Sequence, residues 1–238
     1  MRRVASESLG TVGSLLALVA HDLRNPLSAL HSNVGFLEAT LATKDADALD
    51  ALSDISASCS SLKHIIDNLE LVGLTLLVER PSLDRMPVSL WELAHDGVQR
   101  LQAIAQSYGV RVEFQAERQG APRVLAHREM FSRALGNLLF NSIQHGGTSE
   151  PVLVTLASGE GQGIVRVSDG GPSISEALRS EAFTAEGQLT CKGDPQGRYS
   201  RGLGLFAASA AATLGGVAVK SVGAADGHNV FELSAPLA

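Results

Sequence analysis

Residues 18 to 30 read LVAHDLRNPLSAL, an otherwise greasy stretch that carries a histidine, an acid, an arginine, an asparagine and a proline at His21, Asp22, Arg24, Asn25 and Pro26. A proline inside a helix removes a backbone hydrogen bond and bends the chain at a cost of about 3 kcal/mol, so Pro26 is seldom ornamental. Three more polar groups lie further on. FSRALGNLLFNSIQHG sets Asn137 and Asn141 four residues apart, on one helix face. Asparagines among leucines are costly to bury without partners, which points to a bound polar group, although paired structural amides give the same spacing. VRVSDGGPSIS presents Asp169 at a strand end before Gly170 and Gly171, either a plain turn or a place where backbone approaches a ligand closely. SRGLGLFAASAAATLGG runs Gly202, Leu203 and Gly204 into a helix, whose free N–H groups and dipole favour an anion such as a phosphate.

These groups need elements to hold them. Leu9, Gly13, Leu16, Ala20, Leu23, Leu27, Leu30, Val34, Leu37 and Leu41 alternate steps of four and three, the heptad seam of one long helix. His21 falls one position past that seam, on the flank that solvent and a partner reach. After the polar break TKDAD, a second seam runs through Leu52, Ile55, Cys59, Leu62, Ile66 and Leu69. Two such helices form an antiparallel hairpin. A lone hairpin leaves much of each seam wet, so the pattern predicts a homodimer whose two hairpins make a four-helix bundle. LLVERPSLDRMPVSL, with two prolines and no heptad, places a boundary between residues 78 and 79. Beyond it the pattern predicts a helix over 90–107, a strand over 110–116 and a helix over 128–145. A strand hairpin over 151–157 and 163–169 follows, then a helix over 203–214 and two strands in GVAVKSV and NVFELSA. The whole is an α+β chain whose second part is an α/β sandwich with one helical layer on one sheet.

With 238 residues, 45% of them apolar, the chain is long enough to bury a real core in one or two domains. A net charge of -6 with 4% aromatics argues against nucleic acid as a partner, since phosphate backbones need clustered cations and bases need rings to stack on. Cys59 and Cys191 stand alone, suggesting neither a disulfide framework nor a zinc site and leaving a reducing, cytoplasmic setting as the expectation. LLALVA near the amino terminus is far below the roughly 20 apolar residues a membrane span needs. No membrane insertion is expected, and a stimulus would arrive through the cytoplasm or through a separate sensory partner protein.

AHDLRNPLSAL resembles the H-box of the sensor histidine kinases of two-component signalling, whose pattern is His, then Glu or Asp, two variable residues, Asn or Thr, and Pro. His21, Asp22, Asn25 and Pro26 match each position. The resemblance implies that residues 1–78 are a dimerisation and histidine phosphotransfer domain. His21 would attack the terminal phosphoryl group of ATP through one ring nitrogen, with Asp22 holding the other N–H and raising nucleophilicity. Asn25 would orient a water for dephosphorylating the partner. The order of an Asn-rich helix, an Asp-Gly turn, a loop and GLGL likewise resembles the N, G1, F and G2 boxes of the ATP-binding domain of these kinases. That Bergerat fold, shared with gyrase-type ATPases, would occupy residues 79–238. By this resemblance Asn141 would ligate Mg²⁺ with Asn137 assisting, and Asp169 would accept a hydrogen bond from the adenine amino group. Gly171 would sit against the adenine, Gly202, Leu203 and Gly204 would cradle the phosphates, and His145 keeps a family-like position. Phe183 matches the first phenylalanine of the F box, in a lid over 175–201.

The sequence also departs from the family. Ser173 stands where the G1 box usually ends in glycine, and a positive φ there would strain a serine. Ser200 and Arg201 replace small residues before GLGL, the second F-box phenylalanine is missing, and Gln144 replaces a common lysine. Lys192, Arg198 and Arg201 would restore charge on the lid, or form an ordinary solvated run. The implied function is a histidine protein kinase that autophosphorylates His21 from Mg·ATP and passes the phosphoryl group to an aspartate of a response-regulator receiver domain. The alternative is a histidine phosphotransferase or scaffold with a decayed ATP domain. A different Bergerat-fold ATPase, or a serine kinase of that fold, would have no use for the HDLRNP helix.

Overall fold

The computed structural model describes residues 16, 20, 23–25, 27–28, 30–38, 46–76, 83–184, 187, 203–223 and 228–238. The chain divides into two compact units, Met1–Arg80 and Pro81–Ala238.

In the first unit every described residue between 16 and 38 is helical, forming α1, and α2 spans Ala46–Thr75. The two seams are not buried uniformly. Ala20, Leu27 and Val34 on α1, and Leu52, Cys59 and Ile66 on α2, recur every seven residues and are buried. Ala20, Leu27, Cys59 and Ile66 pack into one core with Leu69 at its edge. The intervening seam residues, Leu23, Leu30 and Leu37 on α1 with Ile55 and Leu62 on α2, are 42–54% exposed. Each heptad seam therefore splits into an inner line that closes the hairpin and an outer line that the hairpin alone leaves in water. Val34 and Leu52 show that the inner line runs the length of the pair, not only around one turn.

The second unit is a sheet covered on one face by helices. β1 (Met86–Ser89) pairs antiparallel with β3 (Arg123–Ala126) as a small two-stranded sheet. β2 (Val112–Gln115), β4 (Val152–Gly159), β5 (Gln162–Asp169), β6 (Ala218–Gly223) and β7 (Asn229–Pro236) form a five-stranded sheet in the order β2-β4-β5-β7-β6. Only the β2–β4 pair is parallel. Period-two alternation sends Val152, Val154, Val165, Val167, Phe231 and Leu233 inward, where all six are buried. Three helices, α3 (Leu90–Ser107), α4 (Arg128–His145) and α6 (Gly204–Gly215), accompany the sheet, with α4 packed between the other two. A short α5 (Glu176–Arg179) precedes a single 3-10 turn at Glu181–Phe183.

Local chemistry sets the helix ends. The Ser89 hydroxyl accepts from Glu92 N–H to start α3, and His127 Nδ1 accepts from Met130 N–H to start α4, each satisfying one of the orphan donors of a first turn. α6 stops at Gly216, whose φ of 68° is the left-handed conformation a C-terminal glycine supplies. The alanine-rich α6 lies close to α4, so close that a methyl on Gly215 would stand 2.8 Å from Met130 Cβ.

On the opposite face of the sheet, Arg166, Glu232 and Lys220 stand side by side across β5, β7 and β6. Glu232 Oε1 accepts from Arg166 at 2.7 Å and its Oε2 lies 3.0 Å from Lys220 Nζ. Burial alone raises the pKa of this carboxyl, but the two cations outweigh it and hold the pKa below its ordinary value.

Candidate functional site

Of the four polar groups singled out above, the first lies in the first unit and the other three in the second. In the first, Asn25 is exposed on α1, while His21 and Asp22 lie outside the described residues. Arg24, the neighbour of Asn25, reaches across to α2, with its Nη2 3.2 Å from Asp67 Oδ1 and 3.3 Å from Glu70 Oε2.

In the second unit, α4 presents Asn137 and Asn141 from one buried face. Asn137 Nδ2 donates to the Arg133 carbonyl at 3.0 Å, and its Oδ1 is buried with no hydrogen-bond partner. Asn141 Nδ2 and the Ser142 hydroxyl are buried and unpartnered too. Three such groups in six residues of one helix is unusual, because a buried polar group without a partner costs about 1–3 kcal/mol. Such atoms are ones that a bound polar ligand would satisfy. α6 begins beside them, for a methyl on Gly204 would come within 3.9 Å of Asn137 Oδ1. Leu203, exposed at the N-cap of α6, supplies no side-chain cap, and no acid stands in the first turn. Among the described residues no side chain caps the first N–H groups of this helix, and N–H groups at such a helix start favour an anion. Gly202 lies outside the described residues.

Asp169 ends β5 and is buried. Gly146, which follows His145 at the end of α4, packs directly on it. A methyl there would meet the Ser142 carbonyl at 2.5 Å and Asp169 Cβ at 2.9 Å. The need for glycine is steric, since its φ is an ordinary -71°. Asp169 Oδ1 accepts from Gly171 N–H at 3.0 Å, which folds the half-buried Gly171 back over the carboxylate. His145 is half-buried at the C-terminal end of α4, and Gln144 donates from Nε2 to the Tyr108 hydroxyl at 3.3 Å.

Two residues escaped the sequence reading, Asn229 and Ser142. Asn229, opposite Asp169 in the β5–β7 register, is buried and clamps the whole turn. Its Nδ2 donates to Pro172 O at 2.7 Å, Gly171 O at 3.1 Å and Asp169 Oδ1 at 3.4 Å, while its Oδ1 accepts from Ile174 N–H at 2.9 Å. The signal was a polar residue at an inward position of a strand, in GHNVFELSAPL. Ser142 stands beside Asn141 on α4. Among the described residues only Glu160 among the non-glycines has positive φ, so Ser173 sits without backbone strain. Phe183 is buried and meets Phe231 edge to face at 6.3 Å between ring centroids, which anchors the start of the expected lid to the core. Lys192, Arg198, Ser200 and Arg201 lie outside the described residues.

A sheet backed by α4 and α6 thus carries, in one unit, paired buried asparagines, a buried strand-end aspartate and a helix start with no side-chain cap. Residues 126–238 match the family of histidine kinase-, DNA gyrase B- and HSP90-like ATPases, and residues 11–75 match the His Kinase A (phospho-acceptor) domain. With both domains in this order, the chain belongs to the sensor histidine kinases. It is 28% identical over 239 residues to the probable sensor histidine kinase TcrY of Mycobacterium tuberculosis, covering 99% of this chain and 47% of that one. It is 32% identical over 131 residues to the methanogenesis regulatory histidine kinase FilI of Methanothrix harundinacea, covering 54% and 14%. The crystal structure of full-length ShkA in complex with AMPPNP shares the fold, with a TM-score of 0.63 and 23% identity over 94% of this chain and 46% of that chain. The chain thus spans less than half the length of each of these proteins. Among the described residues, no helix is long and apolar enough to cross a membrane.

Proposed function

We propose that this chain is the kinase core of a two-component system: its second unit binds Mg·ATP, His21 accepts the γ-phosphoryl group, and an aspartate of a response-regulator receiver domain receives it in turn. In the first step the bond from the γ-phosphorus to the bridging oxygen breaks as one from a ring nitrogen of His21 forms, with ADP leaving. The observation that carries the reading is the set of buried, unpartnered polar atoms on α4 beside the start of α6 and near Asp169, in a chain that also contains the H-box.

Asp169, fixed by Asn229 and Gly171, offers a carboxylate oxygen to the amino edge of the base. The open N–H groups of α6 receive phosphate oxygens. A Mg²⁺ ion bound with ATP takes oxygen ligands, several of them from the nucleotide's own phosphates. Asn141, with Asn137 beside it, would supply the protein's share, and the ion would offset charge on the transferring phosphoryl group. His145, half-buried at the end of α4 next to the Gly146 that packs on Asp169, would add a further contact to the nucleotide. Asn25, exposed on α1, would order a water against a docked receiver. The exposed outer seam of the hairpin supports a homodimeric four-helix bundle, and dependence on ATP supports a cytoplasmic site of action.

The test is incorporation of label from γ-labelled Mg·ATP by the wild type, Asn141→Ala and Asp169→Asn, with nucleotide titration alongside. Both variants should lose label and nucleotide affinity together. Unchanged affinity in either would remove that residue from the site.

A further inference from the structure

The H-box contains one charged residue to which its pattern gives no role, Arg24. We propose that Arg24 is a positioning residue for phosphoryl transfer, clasping the acceptor turn of α1 to Asp67 and Glu70 of α2; this rests on the kinase reading above. Pro26 has no N–H to give to the carbonyl four residues back, so a helix running through this motif forgoes one internal hydrogen bond. The turn must be held from outside. Two contacts do so. Ala20 and Leu27, one on each side of the motif, pack into the core with Ile66 and Leu69. Between them, Arg24 Nη2 forks to Asp67 Oδ1 at 3.2 Å and Glu70 Oε2 at 3.3 Å, two carboxylates one helical turn apart on α2.

The magnitudes argue for position over stability. All three side chains are about a third exposed, and ion pairs of that exposure are screened and contribute little to folding. Placement of a nucleophile is far more sensitive, since an error of about 1 Å can cost on the order of a hundredfold in rate. The fork also fixes rotation. Apolar packing of Ala20 and Leu27 lets the turn roll, whereas two hydrogen-bonded carboxylates on a defined face of α2 do not.

The experiment compares Arg24→Gln, Arg24→Lys and the charge-exchanged Arg24→Glu/Asp67→Arg/Glu70→Arg protein with the wild type, each as the full chain. Two quantities are read, the rate of histidine labelling from saturating Mg·ATP and amide exchange over residues 23–28. Arg24→Gln should label about tenfold more slowly with an unchanged KM for ATP, consistent with a displaced acceptor, and exchange faster at 23–28 but not at 30–38. Arg24→Lys should fall between, and the charge exchange should restore both rate and protection. A wild-type labelling rate in Arg24→Gln, or restored protection without restored labelling in the exchanged protein, would overturn the proposal. A wild type that takes no label would strike the kinase reading instead, while the exchange pattern still shows whether Arg24 orders the turn.

Discussion

Asn229→Ala is the perturbation whose cost follows most directly from the geometry. The side chain is buried and makes three hydrogen bonds of 2.7–3.1 Å, to Pro172 O, Gly171 O and Ile174 N–H, and a longer one to Asp169. Truncation does not treat these equally. Pro172 is exposed and Gly171 half-buried, so their carbonyls turn to water and lose only the net value of a hydrogen bond, about 0.5–1.5 kcal/mol each. Ile174 is buried, and its N–H is left with nothing, at about 1–3 kcal/mol. The sum is about 4 kcal/mol, which for a domain of this size lowers the melting temperature by roughly 8–16 °C. Function should suffer beyond stability, because the same bonds hold the turn against Asp169. Scanning calorimetry of the variant together with titration of Mg·AMPPNP reads both, and nucleotide affinity at 15 °C, well below melting, should fall at least about tenfold, the equivalent of 1.4 kcal/mol. A shift under 2 °C with unchanged affinity would refute the view that Asn229 fixes the base-binding turn.

Gly146→Ala should be worse tolerated than any other alanine in α4, since its methyl would press on the Ser142 carbonyl and on Asp169; overpacking of this kind costs about 1–3 kcal/mol, read as a lower melting temperature with weakened nucleotide binding. Leu30→Glu with Leu62→Glu places charge on the outer seam without touching the hairpin core, and light scattering should show the mass halved while helicity in each hairpin persists. Glu232 has a folded-state pKa below its ordinary value, so its contribution is present above the unfolded-state pKa and is lost as pH falls through the folded one; Glu232→Gln should flatten the decline of melting temperature between pH 5 and pH 3.

Long periodic elements were legible because burial is periodic. α3 and α4 begin and end where the apolar pattern and their caps place them, and the β4–β5 hairpin follows from alternation. β1 and β3 were not, since MPVS carries Pro87 and RVLA runs three apolar residues together, so neither shows an alternating pattern. The split of each seam into inner and outer lines was also hidden. A heptad shows that two positions are apolar but not which one faces the hairpin partner. In the site, Asn137, Asn141 and Asp169 were legible as polar residues in apolar surroundings. Asn229 was not, because its work lies in pairing with a turn some sixty residues earlier in the chain, a contact that only the β5–β7 register creates. Gly146 shows the converse: its importance is steric, and nothing in a helix-end glycine announces the aspartate packed on it.

The central claim is that His21 takes phosphate from ATP bound by the same protein. The measurement that tests it is incubation of the purified chain with Mg²⁺ and γ-labelled ATP, followed by an acid-lability test of the label, with His21→Ala in parallel. Label that is lost in acid, stable in base and absent from His21→Ala is the predicted result. Acid-stable label, or equal label in His21→Ala, would contradict the account.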